Sequence, residues 1–582
     1  MNRNIAFFIT SAKVNEYVRN KAKSHLISMA NKNHFEYKDF IYGDFIVSLV
    51  FSGEGSYLLT DECLDFCVGS LEHSKSESDR FLKVRIEKSN ISIRNDYAGS
   101  VPVFYSSIGS LVISNIEPVV VLATDTKEKD VAYENLYGFL KYVHFIWDET
   151  AYHHIKVMEP DSLYSFNDNN DISNKYIETV KSSDENIYLS DKEVAFKLFE
   201  LNNKLVINSL ENYDQIILPL SSGYDSRMIL AALSIRPDLK EKTHCFTYGS
   251  LGSIEVEAAR RLTKSLGIKW NYIDLPMKFL TKEYLCEIDS IFGASLHMHG
   301  MYQMEFYREL SKYITISPNT CLTSGFMTGV PAGQHNSLLS IDHVGKLTDA
   351  MNKFSQSRCW SNNDLNKLAC FQGNNYLDKA EERFGKAFNR FVGRIDQKAV
   401  MFDVWTRQRS FVSYYPRTLE WLIPTVSPHM NSEYASFFMS LSKRHLDDRY
   451  AVELMFKYYY PELSKIVSNS NGIKAIDGIY DNIMFFSSKI LKKMKLSSLL
   501  PQQYRNNDFD FDLPALRDAG YEGVFPLMSD DEKVDGFIKK IIDIKDIDIL
   551  YKKAIDGDSD SYQKLTILQS LAFSARRFSD EC

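Results

Sequence analysis

The run Leu220-Ser221-Ser222-Gly223-Tyr224-Asp225-Ser226 gathers three serine hydroxyls, a glycine and one carboxylate into a single short loop. An apolar run, Gln215 to Leu220, precedes it, and an amphipathic segment of helix length, Ser226 to Ile235, follows. Strand, tight loop and helix are thus expected in succession, with Gly223 at the turn. The first amides of a helix have no internal partner and lie at the positive end of its dipole. A phosphate group fits such a place. Asp225 is the odd member, because a carboxylate repels phosphate unless a cation stands between them. Mg2+ bridging Asp225 and the phosphate oxygens is the simplest remedy. A Ser/Asp helix cap would use the same residue types and bind nothing. The loop lacks the Gly-Lys-Ser/Thr of a Walker sequence.

The elements that must position this loop are legible around it. Thr243 to Tyr248 and Trp270 to Leu275 read as strands. Ile254 to Leu266 reads as a helix, with Val256, Ala259, Leu262 and Leu266 on one face. Cys321-Leu322-Thr323 leads into a second glycine-bearing loop, Gly325 to Gly333. This alternation predicts a parallel sheet with helices on both faces and ligands at the carboxyl ends of its strands. Residues 1 to about 170 carry short apolar runs about every ten residues: Phe45 to Phe51, Phe81 to Ile86, Ile91 to Arg94, Val101 to Tyr105 and Leu111 to Ser114. They predict an antiparallel β-sandwich, with Phe45–Phe51 and Tyr57–Thr60 as a hairpin across Gly53 and Gly55. Polar residues 172 to 195 are the expected linker, and helices are expected from about 375 onward. The fold class is therefore α/β, in three parts: 1–175, 195–475 and a helical extension, 476–582.

The chain has 582 residues, 25% of them charged, and a formal net charge of −8. No long basic run is present, so nucleic acid is not an expected partner. No stretch reaches membrane-span length and no secretory leader is legible, so a cytoplasmic protein is expected. Aromatic residues make up 13%, which large cores explain, an aromatic-lined site being the alternative. The eight cysteines read as buried thiols; Cys63 and Cys67 stand at helical spacing without zinc-site partners. His297 and His299 read as satisfied polar residues rather than metal ligands.

The hexad Ser221 to Ser226 resembles the Ser-Gly-Gly-x-Asp-Ser loop of the asparagine synthetase superfamily, departing at Ser222. Glu255 and Ala259 resemble the acidic-headed helix that follows in that family. Ser324 to Gly333 is similar to its second loop, with Gly325 and Gly333 matching and Gly329 in the acidic position. Gly43-Asp44-Phe45, Arg94 to Tyr105 and Ile155 to Pro160 resemble its N-terminal glutamine amidotransferase domain, whose nucleophilic cysteine is replaced by Asn2. Arg407-Gln408-Arg409, Pro424 and Tyr458 to Leu463 resemble remote members linked to surface-polysaccharide biosynthesis. For Arg407 and Arg409 a surface salt bridge is the plain expectation.

The resemblance implies an ATP-pyrophosphate-binding domain behind a degenerate amidotransferase domain. It implies ATP and Mg2+ as cofactors. Leu220, Ser221, Ser222, Gly223, Tyr224, Asp225, Ser226 and Gly325 would face ATP or pyrophosphate, with Asp225 on the metal. Asp225 and Lys474 would be catalytic. The activity implied is a ligase that adenylates a carboxylate, of aspartate or a sugar uronic acid, and passes it ammonia or an amine. Its own glutaminase activity is expected to be lost, so nitrogen would come from free ammonia, a separate glutaminase or an acceptor amine. A homodimer is compatible with this reading. The alternative is a catalytically inactive relative that binds a nucleotide or a partner.

Overall fold

The apolar run at Phe45 is buried along nearly its whole length because it is an inner strand. In the computed structural model, residues 3–53, 57–69, 80–249, 254–274, 282–295, 303–336, 360–466, 532–556 and 558–578 are described, with scattered positions between 483 and 496. The first part contains β1 (Arg3–Ser11), α1 (Glu16–Asn33), β2 (Glu36–Tyr42), β3 (Phe45–Ser52), β4 (Tyr57–Leu59), β5 (Leu64–Gly69), β6 (Phe81–Ile86) and β7 (Asn90–Asn95). It continues with β8 (Phe104–Ser106), β9 (Val112–Ser114), α2 (Glu117–Ala123), α3 (Tyr133–Tyr142), β10 (Lys156–Val157), β11 (Ser162–Asn167) and β12 (Ile172–Tyr176). Two six-stranded antiparallel sheets result, ordered β10-β8-β9-β1-β3-β2 and β12-β11-β7-β6-β5-β4. Strand alternation divides β1 between two cores. Phe7 and Ile9 meet Phe66 and Val84 between the sheets. Ala6 and Phe8 join Leu26 and Met29 of α1 on the outer face.

Four expectations are corrected here. The β3–β4 hairpin does not form: β3 pairs with β1 and β2, while β4 pairs with β5 in the other sheet. The chain changes sheets between them, because the twice-covered β3 belongs inside one sheet and the exposed β4 forms an edge of the other. The linker is shorter than the polar composition suggested, since Ile172–Tyr176 pairs with β11 and the next helix starts at Asp191. Cys67 lies on β5, so its spacing from Cys63 is not helical, and Cys67, Cys286 and Cys370 are only half-buried. Finally, α1 interrupts the strands. Its buried Ala22, Leu26, Met29 and Ala30 carry a helical spacing that was readable in advance.

The second part begins with α4 (Asp191–Leu210), started by a Ser190–Glu193 capping box. It holds β13 (Gln215–Pro219), α5 (Tyr224–Ser234), α6 (Pro237–Lys242), β14 (Thr243–Tyr248), α7 (Ile254–Leu266), β15 (Lys269–Ile273), α8 (Lys282–Phe292), α9 (Gln303–Leu310), β16 (Thr320–Thr323) and β17 (Thr425–Val426). All pairings in this sheet are parallel, in the order β15-β14-β13-β16-β17. Strand order reverses between β13 and β16, and in such sheets a ligand crevice opens outside the carboxyl ends at that point. The loops leaving those two strands are 220–223 and 324–336.

The parts are tightly joined. Trp405 Nε1 donates to the Tyr97 carbonyl at 3.0 Å, and Arg409 donates to the carbonyls of Trp147, at 2.8 Å, and Met158. Arg409 is therefore a buried clamp on the first part and not a surface ion pair. In the last part, the helices Glu532–Ile541, Ile544–Ile555 and Ser559–Ala575 share the same core, and the Arg577 that follows them pairs with Asp289 of α8. Among the described residues no helix is long and apolar enough to cross a membrane.

Candidate functional site

Leu220 leaves β13 with both backbone groups engaged. Its N–H donates to the Phe246 carbonyl at 2.7 Å, and its carbonyl accepts from Thr247 Oγ1 at 2.7 Å. It anchors the loop from beneath. Ser221 N–H donates to Ser226 Oγ at 3.1 Å, and the two hydroxyls share a hydrogen bond of 3.1 Å. Gly223 N–H donates to Ser221 Oγ at 3.2 Å. Ser222 is fully buried; its N–H donates to Glu255 Oε2 at 2.6 Å and its carbonyl accepts from Arg227 at 2.6 Å. The Ser222 side chain thus has no surface on the cleft, and Glu255 at the head of α7 holds the loop. Arg227 carries the constraint further, donating to the carbonyls of Leu463 and Ile466.

This folding opens α5 without a side-chain cap at Gly223. Asp225 stands in its first turn. Its side chain keeps 39% of its surface exposed, yet Oδ1 is buried and accepts no hydrogen bond among the described residues. Burial pushes the carboxyl above its ordinary range, against the opposing pull of Arg449 and His335. Arg449 Nη1 stands 3.8 Å from Oδ1, too far for a hydrogen bond. Asp448 and Arg449 both hold left-handed backbone, φ 49° and 63°, where side chains are uncomfortable. This strained step presents Arg449 to the site. Tyr224 stacks on Phe456 at 5.4 Å and fixes the start of α5 against the helix Tyr450–Tyr459.

The second loop faces the first closely. A Cβ on Gly325 would lie 2.9 Å from Asp225 Cβ and 3.2 Å from Ser226 N, so only glycine permits this approach. A Cβ on Gly329 would lie 2.9 Å from Asp225 Oδ1 and 2.2 Å from Gln334 Oε1. Position 329 therefore does look at Asp225, but in this chain Gln334 fills the space a side chain would need. The loop is held on several sides: Thr328 Oγ1 bonds His429 Nδ1 at 2.6 Å, Tyr434 donates to the Thr328 carbonyl at 2.8 Å, and Asp448 N–H donates to the Gly333 carbonyl at 3.1 Å.

The structure brings together Ser221, Ser222, Gly223, Tyr224, Asp225, Ser226 and Gly325. Lys474, Asn2, His297 and His299 lie outside the described residues. Among the described residues no group of three or more His, Cys, Asp and Glu side chains forms a metal cluster. Sequence reasoning missed Arg449, Gln334 and the His335–Asp403 pair. His335 follows Gly333 by two residues, so extending the second loop slightly would have included it. Nothing in the sequence around Asp403 or Arg449 marks either one.

Fold and site together define a mixed α/β protein: a double antiparallel sheet joined to a five-stranded parallel sheet, with a candidate anion cradle at the point where strand order reverses. No protein-family model matches the chain, and no curated protein matches it. Among solved structures it is similar to the glutamine phosphoribosylpyrophosphate amidotransferase from B. subtilis complexed with ADP and GMP. That similarity has 7% identity and a TM-score of 0.20 over 59% of this chain and 79% of that one, too shallow to carry an argument.

Proposed function

We propose that this chain is an ATP-dependent ligase of the asparagine synthetase type, in which a carboxylate is adenylated and then converted to an amide. The observation that carries the reading is Asp225 Oδ1, buried without a hydrogen bond among the described residues, at the start of α5, which has no side-chain cap. A buried polar atom left unsatisfied costs about 1–3 kcal/mol, so a ligand that satisfies it is favoured. The residues fit a cation beside phosphate: Asp225 would hold Mg2+, and the first turn of α5 would receive the pyrophosphate of ATP. Bound Mg2+ would neutralise charge developing on the departing pyrophosphate. Gly325 keeps the facing loop close, and Glu255 and Arg227 fix the shape of the first.

The nitrogen comes from outside this chain, as free ammonia, an acceptor amine or a separate glutaminase. Residue 2 is Asn where an amidotransferase carries its thiol. Cys67, on β5, has its thiol pushed up to about 12 by burial, which leaves little thiolate for attack. The acceptor is aspartate or a sugar uronic acid.

The test is ATP–pyrophosphate exchange over a panel of carboxylates that includes aspartate and glucuronate. Asp225→Ala should lower exchange by about 10²-fold or more. Unchanged exchange in that variant would remove Asp225 from the site. Gly329, in the acidic position, favours a second reading, a relative that binds nucleotide without turnover. Its signature is a Mg-ATP-dependent thermal shift with no exchange for any acid.

A further inference from the structure

Two acceptor oxygens meet at one point beside Gly329. The place where a Cβ on Gly329 would stand lies 2.2 Å from Gln334 Oε1 and 2.9 Å from Asp225 Oδ1. Neither a carboxylate oxygen nor an amide carbonyl can donate, so the pair repels unless a cation or a donor stands between them. Asp225 Oδ1 accepts no hydrogen bond among the described residues, and Arg449 Nη1 stays 3.8 Å away. The turn before Gln334 fixes where its side chain goes. Gln334 N–H donates to the Gly329 carbonyl at 3.0 Å and closes the turn. Gly333 makes the bend with φ 84°, and a Cβ there would strike the Leu446 carbonyl. The Gly333 carbonyl in turn accepts from the N–H groups of Asn336, at 3.0 Å, and Asp448. Gln334 is thereby returned over Gly329, whose missing Cβ leaves the room. Neither side chain is closed off: Gln334 is half-buried, and Asp225 retains exposed surface.

From this geometry we propose that Gln334 Oε1 is a second protein ligand, beside Asp225 Oδ1, for the divalent cation of the site, and that the cation binds tightly only together with a pyrophosphate group. The inference rests on the ligase reading given above. Hard divalent cations take carboxylate and amide carbonyl oxygens alike, and two oxygens around one Mg2+ stand about 3–4 Å apart. The two distances to the Gly329 position allow such a separation. An amide oxygen brings no charge. The two ligands therefore supply a single negative charge, and the Arg449 guanidinium opposes even that. Two protein oxygens also leave most of an octahedral shell to be filled. Phosphate oxygens received at the first turn of α5 would fill it and supply the missing charge. Cation and pyrophosphate thus bind as a unit.

The experiment is equilibrium dialysis of the full chain against Mn2+, alone and with inorganic pyrophosphate, which reads protein-bound metal directly. Wild type is compared with Gln334→Leu, Gln334→Glu and Asp225→Ala, each checked for unchanged melting in EDTA. Wild type should bind Mn2+ about 10-fold or more tightly with pyrophosphate than without it. Even outer partners of metal ligands are worth about 10-fold in affinity, so Gln334→Leu should weaken Mn2+ binding in the presence of pyrophosphate by at least that much. Gln334→Glu adds a second carboxylate and should tighten Mn2+ binding, most of all without pyrophosphate. Unchanged or tighter binding in Gln334→Leu would mean that the amide turns its N–H toward Asp225 as a donor, and would overturn the assignment. If Asp225→Ala still lost the metal in that case, the ligase reading would stand. Equal affinity of wild type with and without pyrophosphate would overturn the joint binding. Failure of wild type to bind Mn2+ even with pyrophosphate, or full retention of metal in Asp225→Ala, would defeat the metal site of the ligase reading and the role of Gln334 with it.

Discussion

Asp96 and Asp225 are both carboxylates whose ionisation burial opposes, and the chain treats them in opposite ways. Asp96 follows β7 in the antiparallel half. It accepts four hydrogen bonds: from Phe81 N–H at 3.2 Å, Ala98 N–H at 3.0 Å, Ser100 N–H at 3.1 Å and Ser100 Oγ at 2.6 Å. Asp225 Oδ1 accepts none among the described residues. The first carboxylate organises the turn that Trp405 and Arg409 grip from the other half. The second is arranged by everything around it and organises nothing. A satisfied buried carboxylate belongs to the framework, and an unsatisfied one beside an open helix start marks a place for a ligand.

The largest expected effect on stability breaks the satisfied member. Asp96→Ala strands three amides and a hydroxyl in a dry turn and should cost about 3–5 kcal/mol in urea unfolding. A loss below about 1 kcal/mol would show that water or the chain re-satisfies those donors, and the contrast with Asp225 would lose its footing.

A smaller effect concerns the clamp on the second loop. His429 is fully buried between Thr328 and Asn202 Oδ1, and burial lowers its pKa from 6.5 to about 3. The unfolded chain takes up that proton as pH falls below 6.5, and the folded chain does not until about 3. Stability from this group is therefore complete above 6.5 and is lost as pH falls, by about 2 kcal/mol at pH 5. His25 and His144, each lowered to about 4 by burial, act with the same sign. Stability measured from pH 7 to 5 should fall in wild type, and fall less steeply in His429→Gln. Equal slopes would mean that His429 is charged in the fold.

These contrasts also explain what was legible in advance. β14, α7 and the loop after β13 were readable because apolar periodicity and glycine placement are local signals. The orphaned state of Asp225 was not, because it depends on Gly325, Gln334 and Arg449, which lie a hundred residues or more away in sequence. Ser222 looked like a change at the phosphate face, yet its side chain is buried. β17 was missed because a two-residue strand has no periodicity and is specified by β16 alone. The β3–β4 hairpin failed for a similar reason: turn residues say where a chain bends, but not which sheet it enters next.

The smallest effect sharpens the comparison most. Asp225→Asn keeps the shape of the side chain and removes the charge that burial disfavours. Among the described residues its ion pair is to Arg449, at 3.8 Å, so little attraction is lost. The variant should match or exceed wild type in stability, by no more than about 1 kcal/mol, and should lose its Mg-ATP thermal shift. The gain would be the cost at which the chain maintains an unsatisfied carboxylate. A loss of more than about 2 kcal/mol would instead make Asp225 a structural partner of Arg449, of the same kind as Asp96.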